Sequence, residues 1–360
     1  MPEESLIDLR SAVSHRLDIQ LRAYREKFSA VGREVADLFD VAEPLLQRGK
    51  RLRASFLAAG WRCFGGGPLA PAEIRAGAGL ELFQLAALVH DDLMDASLSR
   101  RGLPAAHLQF RALHEEREMI SNPDSFGAAG ALLLGDLLLV AAESELQAAL
   151  LDHPETAPAA RPVFEEMMAE VTVGQYLDIY AQSAPWADDP EVDLDRAQRV
   201  IKAKSARYSV EHPLALGAAM AGANRAGLAA IRAVGLPVGE AFQMRDDVLS
   251  VFGDPAVTGK PAGDDLREGK RTVLVTSAMT LASPSQVETL RSRIGDPELT
   301  EEQVVEVREI LTSCGALAAV EELITQRAAT AQAAIDALDL PPEQDQLLRE
   351  LATAAITRNQ

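Results

Sequence analysis

Apolar residues recur along this chain at the spacing of three to four positions that is typical of α-helices, and no convincing β-strand alternation interrupts them. No linker, low-complexity segment or fixed-period repeat divides the chain, so the pattern predicts one all-α domain over residues 1–360, built as a helical bundle. Pro213 is expected to kink or break one helix. The predicted helices cover about residues 4–28, 31–47, 71–95, 106–119, 125–150, 158–183, 193–221, 223–251, 270–281, 285–294, 299–313, 315–338 and 342–358.

The helix predicted at 71–95 ends in a cluster of acids. From Glu81 onward it reads ELFQLAALVHDDLMD, an apolar stretch that leads into Asp91, Asp92 and Asp95. Residues four apart on a helix share one face, so Asp91 and Asp95 point the same way and Asp92 lies beside them. Crowded carboxylates repel each other and resist burial, and all-oxygen ligation suits Mg²⁺ shared with substrate phosphates. The alternative is an exposed acidic helix end.

A second acid pair follows about 150 residues later. The stretch FQMRDDVLS from Phe242 to Ser250 again leads from apolar residues into Asp246 and Asp247, with serine four positions after the first acid. Two acid pairs that each sit on an apolar helix are expected to line one cavity and to hold a metal cluster there.

Cations are concentrated in two short stretches. The run QRGKRLR at 47–53 places Lys50 and Arg53 three apart, so we expect them to share a helix face near a helix N-terminus and to bind an anion. A solvated basic face is the alternative. A turn at 99–104 carries Arg100 and Arg101, which either form structural salt bridges to the nearby acids or bind a diphosphate together with the metal.

Composition narrows the choice of partners. The net charge is −19, which argues against nucleic acid or an anionic membrane surface as a partner. Two distant cysteines make no disulfide framework and favour a cytoplasmic location. The charged N-terminus is not expected to be a signal peptide. Phe126 to Ala142 is interrupted by glycines and Asp136, which favours a buried core helix over a membrane span. Gly253 to Gly269, rich in Gly and Pro, predicts a mobile loop that could close over a site.

In their order and spacing these motifs resemble those of the trans-isoprenyl diphosphate synthases, or polyprenyl synthetases, and among them the bacterial short-chain enzymes that make geranylgeranyl diphosphate. The resemblance covers roughly residues 40–285. The matching stretches are GKRLR at 49–53, DDLMD at 91–95, RRG at 100–102, GQYLD at 174–178, Lys204-Ser205, FQMRDDVLSVFGDP at 242–255, Gly259-Lys260 and GKRT at 269–272.

The resemblance implies helices around a deep central cavity, a homodimer, and three Mg²⁺ ions per active site that bind an allylic diphosphate. Asp91, Asp95 and Asp246 are then metal ligands, supported by Asp92 and Asp247. The allylic diphosphate (dimethylallyl, geranyl or farnesyl) is expected to contact Arg100, Lys204 and Lys260. The implied contacts of isopentenyl diphosphate are Gly49, Lys50, Arg53, Gln84 and Arg101. Ser205, Gln243 and Lys270 complete the implied substrate site.

Two positions depart from the family pattern. Many relatives have histidine at the position of Gln84, which can still donate to a phosphate oxygen but carries no charge. Many have aspartate at the position of Ser250, so metal binding through that position is weakened or moved to water, and Asp254 or Asp265 are nearby acids that could compensate.

The implied chemistry is head-to-tail prenyl transfer. The allylic C–O bond breaks, the double bond of isopentenyl diphosphate attacks the carbocation, and a proton is lost to the released diphosphate. Gln243 and the Lys204-Ser205 pair are expected to offer oxygen dipoles to the cation. Two alternatives are a class I terpene cyclase, which needs one diphosphate site, and a catalytically silent subunit that regulates a synthase.

Product length is expected to depend on the face of helix 71–95 that Asp91 shares. Relatives that stop at fifteen carbons carry bulky aromatics four or five residues before the first Asp, where this chain has Ala87 and Ala86. Phe83 lies one turn further on, roughly 5.4 Å deeper, which adds about one isoprene unit. The predicted product therefore has twenty carbons. In the alternative, Phe83 is ordinary core, and the helix at 125–150 limits a longer product.

Overall fold

The computed structural model describes residues 2–67, 70–253 and 263–357, and these residues are almost entirely helical. The first half of the chain contains α1 (Pro2–Phe28), α2 (Ala36–Gln47, after a 3-10 turn at Arg33–Val35), α3 (Leu52–Cys63), α4 (Pro71–Met94), α5 (Ala106–Glu116), α6 (Pro123–Leu151) and α7 (Ala157–Ser183). They continue as α8 (Pro190–Val200), a π-helical segment (Ile201–Glu211), α9 (His212–Met220), α10 (Arg225–Phe252), α11 (Asp264–Arg267), α12 (Val273–Leu281), α13 (Pro284–Arg293), α14 (Glu301–Ser313), α15 (Ala316–Asp336) and α16 (Pro342–Ile356).

Polar side chains start many of these helices. The Asn122 and Asn224 side chains accept hydrogen bonds from backbone N–H groups at the starts of α6 and α10. Ser283 and Thr300 form capping boxes at the starts of α13 and α14. Each cap satisfies an N–H group that the helix itself leaves unpaired, and is worth about 1 kcal/mol. The helix positions predicted from the sequence pattern agree with most of the observed bounds to within a few residues.

The helices form two compact units. The first consists of Met1–Arg161 with Gly217–Gly222, and the second of Pro162–Leu216 with Ala223–Gln360. In the first unit α4 packs against α1, α3, α5 and α6. The α4–α6 contact is close because Gly79 faces the backbone of α6: a Cβ there would lie 3.0 Å from Ala142 O. In the second unit α10 packs against the π-helical segment, α12, α15 and α16.

Three predictions of local structure need correction. Lys50 and Arg53 do not share a helix face, because Arg51 has a left-handed backbone (φ 57°) and α3 begins only at Leu52. The segment 193–221 is not broken at Pro213. It runs on as α8, the π-helical segment and α9, so the distortion lies in the wide turns before the proline. The loop predicted at 253–269 contains the short helix α11, and residues 254–262 lie outside the described residues.

The prediction of a buried core helix at 126–142 also needs correction. It is part of α6, which has 29 residues and is, among the described helices, the one long and apolar enough to cross a membrane. Only 39% of its most apolar stretch is buried. Leu132, Leu133 and Val140 are 50%, 59% and 62% exposed. One face of α6 is therefore core, whereas the opposite face presents apolar side chains at the surface of the chain.

Candidate active site

The first acid cluster lies where the sequence placed it, in the last turn of α4. Asp92 is 1% exposed, and Asp91 and Asp95 are half-buried. The helix is regular up to this point, since Asp95 N donates to Asp91 O at 2.8 Å. His90 fixes the turn from the other side, because its Nε2 donates to Leu132 O of α6 at 3.1 Å. Asp91 and Asp95 therefore share a face one helical turn apart, as predicted.

Arg100 neutralises part of this cluster. Its Nε donates to the two carboxylate oxygens of Asp92 at 2.9 and 3.1 Å, and its Nη2 donates to the same carboxylate. Nη2 also lies 3.8 Å from Asp91 Oδ2. Arg100 thus forms a salt bridge to the nearby acids, which is one of the two roles that the sequence left open for it. A bidentate pair of this kind also fixes the guanidinium next to the cluster.

The two adjacent arginines point to different sites because of a tight hairpin. Strands β1 (Ser99–Arg100) and β2 (Leu103–Pro104) are joined by Arg101 and Gly102, with φ of 56° and 72°. Positive φ at both central residues is the geometry of a type I′ turn, which matches the twist of the strands. Arg100 is directed to Asp92, whereas Arg101 Nη1 donates to Leu45 O at 2.7 Å.

Arg101 belongs to a cluster of cations in the first unit. The pKa of Arg101 is lowered to about 10, mainly by burial, and the positive charges of Arg51, Arg53 and Arg100 contribute to this shift while Glu81 opposes it. The group remains a cation at neutral pH. Arg51 is 4% exposed and its Nη1 lies 4.0 Å from Glu81 Oε2. Neighbouring cations that lower one another's pKa make a site at which a bound anion relieves repulsion.

Two of the other residues predicted to hold isopentenyl diphosphate, Gly49 and Arg53, lie beside this cluster. A Cβ at Gly49 would lie 3.1 Å from Arg101 Nη1 and still closer to Arg51 Nη1, so the backbone of Gly49 lies against both guanidinium groups. Lys50 is exposed, whereas Arg53 and Gln84 are half-buried. The structure thus brings Gly49, Arg53 and Arg101 together around one cationic site.

The second acid pair lies in α10, within the second unit. Asp247 is 5% exposed, and it accepts a hydrogen bond from Gln243 Nε2 at 2.8 Å. Burial raises the pKa of Asp247 well above its usual value, and the charges of Asp265, Asp246 and Asp178 raise it further. Asp246 itself is exposed. Four carboxylates thus concentrate negative charge at the end of α10.

Ser250, the departure from the family pattern, turns its hydroxyl back onto the helix. Its Oγ donates to Asp247 O at 2.9 Å. Ser250 O in turn accepts from Gly263 N at 3.3 Å, which holds α11 at the end of α10. The neighbouring Asp265 is thereby close enough to act on Asp247, whereas Asp254, the other candidate substitute, lies outside the described residues.

The π-helical segment carries Lys204 and Ser205. Lys204 Nζ lies 2.7 Å from Asp178 Oδ2 in α7, so the lysine contacts the GQYLD motif. Three glycines let neighbouring helices approach the wide backbone of this segment: a Cβ would lie 2.5 Å from Lys204 N at Gly174, 2.6 Å from Glu211 Cα at Gly235 and 2.2 Å from Ala206 O at Gly239. Sequence analysis missed the role of these glycines, because their contacts are with a segment distant in sequence.

Lys270 and Lys260 complete the predicted set. Lys270 Nζ pairs with Glu268 Oε2 at 2.6 Å and lies 3.6 Å from Asp265 Oδ1, so it is directed to the acids near α10. Lys260 lies outside the described residues. Among the residues described, no group of three or more His, Cys, Asp or Glu side chains is arranged so that it could hold a metal ion. The acids of α4 and α10 nevertheless offer carboxylate oxygens, which are the ligands that Mg²⁺ prefers.

A sequence profile of the polyprenyl synthetase family matches residues 36–311. The chain belongs to the polyprenyl synthetase family. It is 32% identical to a geranylfarnesyl diphosphate synthase of Aeropyrum pernix, over 75% of this chain and 77% of the relative. It is 30% identical to a geranylgeranyl diphosphate synthase of Sulfolobus acidocaldarius, over 79% of each chain.

A solved polyprenyl synthetase shares the fold along nearly the whole chain. The geranylgeranyl pyrophosphate synthase of Corynebacterium glutamicum, complexed with isoprenyl diphosphate and magnesium, superposes with a TM-score of 0.91 at 35% identity, covering 97% of this chain and 98% of its own. The predicted family, the all-α isoprenoid synthase fold and the enzyme class of trans-prenyltransferase are therefore confirmed. The roles of individual residues stay predictions.

Proposed function

We propose that this polyprenyl synthetase condenses isopentenyl diphosphate with dimethylallyl, geranyl or farnesyl diphosphate and releases geranylgeranyl diphosphate. The observation that carries the proposal is the separation of Arg100 and Arg101. Arg100 joins the acids of α4, whereas Arg101 joins a cluster of cations near Gly49. Prenyl transfer needs two diphosphate sites of different character. A terpene cyclase binds only one diphosphate, and a catalytically silent subunit needs no diphosphate site, so neither alternative requires two such sites.

The acidic groups fit the magnesium that the relatives suggest. We assign Asp91, Asp95 and Asp246 as ligands of three Mg²⁺ ions per active site. Mg²⁺ stabilises the negative charge of the departing diphosphate when it is bound. Arg100 and Lys204 contact the same diphosphate, and both are held ready by carboxylates, Asp92 at one and Asp178 at the other. Lys260 is proposed to assist them.

The chain's own residues then guide the carbocation. Gln243 donates its amide N–H to Asp247, which fixes the amide and leaves its oxygen as the dipole for a cation. The allylic C–O bond breaks, C4 of isopentenyl diphosphate bonds to the allylic carbon, and the released diphosphate takes the proton. The cationic cluster around Arg101 holds isopentenyl diphosphate during this step. Apolar residues of α4 exclude water.

Exposure along α4 supports Phe83 as the residue that limits product length. Asp91 and Ala87 are half-buried, whereas Phe83, one turn further, is 4% exposed. Burial along this face of α4 thus increases from Asp91 to Phe83, as expected if the growing chain ends at Phe83. Ala86 is fully buried, so an aromatic residue there would fill space at the depth that stops growth at fifteen carbons.

Chromatography of dephosphorylated products tests both the reaction and its length. The purified chain, given isopentenyl diphosphate, Mg²⁺ and each of the three allylic primers, is expected to yield twenty-carbon geranylgeraniol. Phe83→Ala should lengthen the product by about one isoprene unit, because truncation opens roughly one helical turn. Ala86→Phe should shorten it to fifteen carbons.

Several outcomes would contradict these assignments. Absence of turnover by the parent with every primer would contradict the proposed reaction. A parent product of thirty carbons or more, or a Phe83→Ala product identical to that of the parent, would contradict the role of Phe83. Leu281→Ala, a truncation of an exposed apolar residue at the end of α12, is the matched control and should leave the product unchanged.

We further propose that the protein is a cytoplasmic homodimer and not an integral membrane protein. The exposed face of α6 supports a homodimer over a membrane protein, because Leu132, Leu133 and Val140 form an apolar surface that also carries Asp136, a charge unfavourable in a lipid core. A second copy of the chain is the proposed cover. Without detergent the protein is expected to sediment at twice the chain mass of 38.6 kDa. Sedimentation as a monomer, or recovery in the membrane fraction of cells, would contradict this proposal.

A further inference from the structure

Two separate backbone turns position the cationic site. One is the loop from Arg48 to Arg51 between α2 and α3, and the other is the type I′ hairpin at 99–104. Both contain a non-glycine residue with a left-handed backbone, Arg51 at φ 57° and Arg101 at φ 56°. Such a conformation costs roughly 1–2 kcal/mol for each residue. Contacts outside each turn are therefore needed to keep it in place.

The guanidinium of Arg101 is held from the first of these regions. Its Nη1 donates to Leu45 O at 2.7 Å, in the last turn of α2. The position of Gly49 leaves room for the same group, since a Cβ there would lie 3.1 Å from Arg101 Nη1. The side chain thus has a fixed anchor, but this anchor does not hold the backbone from which it extends.

Arg48 holds that backbone. Its Nη1 donates to Arg101 O at 3.0 Å and to Gly102 O at 3.3 Å, the carbonyls of the two central residues of the hairpin turn. One side chain from the loop before α3 thus joins the turn that presents Arg101. Arg48 belongs to the basic run at 47–53, but its position in that run did not predict a contact with the hairpin, and a solvated side chain was equally compatible with it.

We propose that Arg48 is a positioning residue for the isopentenyl diphosphate site, acting through the backbone of Arg101. This inference rests on the proposed function. Arg48 keeps the two turns in register, so that Arg101 meets the diphosphate together with Gly49 and Arg53. Arg100 has its own anchor at Asp92 and does not depend on this contact.

The test combines steady-state kinetics with hydrogen exchange on the full-length protein. Arg48→Gln removes the charge and shortens the donor, whereas Arg48→Lys keeps the charge on a side chain one covalent bond shorter. Both are expected to raise the KM for isopentenyl diphosphate about tenfold, the loss of roughly one net hydrogen bond. The KM for the allylic substrate and kcat should stay within twofold. Amide exchange at residues 99–103 should become faster in both variants.

Arg33→Gln is the matched control, because Arg33 is an exposed arginine in the same unit, outside the cationic site. It should change neither KM nor exchange. If Arg48→Lys kept the parent's KM for isopentenyl diphosphate while Arg48→Gln raised it, the charge alone would matter, and the proposal would be overturned. Equal rises in both KM values, or unchanged exchange at 99–103, would also overturn it. If the parent fails to condense the two diphosphates, the proposed reaction fails, and the exchange measurement still decides whether Arg48 holds the hairpin.

Discussion

Replacing Asp91 or Asp246 by asparagine is expected to lower kcat by about 10²–10³-fold at saturating Mg²⁺, the usual cost of losing one group that stabilises transition-state charge. The Mg²⁺ concentration for half-maximal rate should rise as well, because each change removes a proposed ligand. The two losses should not add in the double variant, since ligands of one metal cluster act as a unit.

Folding stability should separate this effect from general damage. Asp91 lies 3.8 Å from Arg100 but also beside Asp92, so its removal loses one attraction and one repulsion. Asp246 is exposed, and its charge raises the pKa of Asp247, so Asp246→Asn relieves repulsion and lowers that pKa. We therefore expect the Tm of both variants to equal or exceed that of the parent.

Asp195→Asn is the matched control. Asp195 pairs with Arg199 on the surface of α8, with both side chains more than 60% exposed, and such pairs contribute little. Rate and Mg²⁺ dependence should not change. Activity of Asp91→Asn or Asp246→Asn within threefold of the parent would contradict the assignment of these residues to the metal.

Gly239→Ala is expected to lower kcat by about 10²-fold and to destabilise the fold by about 1–3 kcal/mol. The new Cβ would lie 2.2 Å from Ala206 O and 2.7 Å from Ala206 Cα, both backbone atoms of the π-helical segment. No rotamer change can relieve such a clash, so α10 and the segment must move apart. Ser205 and Lys204 directly precede Ala206 and should move with it.

Urea denaturation and kinetics at a temperature well below the Tm measure the two effects separately. Gly174→Ala approaches the same segment from α7, with its Cβ 2.5 Å from Lys204 N, and should act in the same direction. Gly67→Ala is the control, because nothing lies within 4 Å of a Cβ there. If Gly239→Ala retained the parent's kcat and free energy of unfolding, the tight packing of this segment would not matter for the reaction.

Several features of the site follow from local sequence. Apolar spacing placed α4 and α10, and the shared face of Asp91 and Asp95 was predictable because an i,i+4 relation depends only on helix geometry. The Arg101-Gly102 turn was predictable as a turn from its residues. The family was predictable too, because the motifs occur in one order along the chain.

Only the tertiary structure decided what each charged residue contacts. Arg100 and Arg101 are adjacent in sequence and chemically identical, and the left-handed turn sends one to Asp92 and the other to Leu45. Helical spacing predicted that Lys50 and Arg53 share one helix face, but the left-handed backbone of Arg51 between them prevents this. The close approach at Gly239 and the contact of Arg48 with the hairpin likewise depend on segments distant in sequence. Periodicity and spacing describe a chain's neighbours along one element, whereas pairing of charges and packing of backbones are set by elements that meet only after folding.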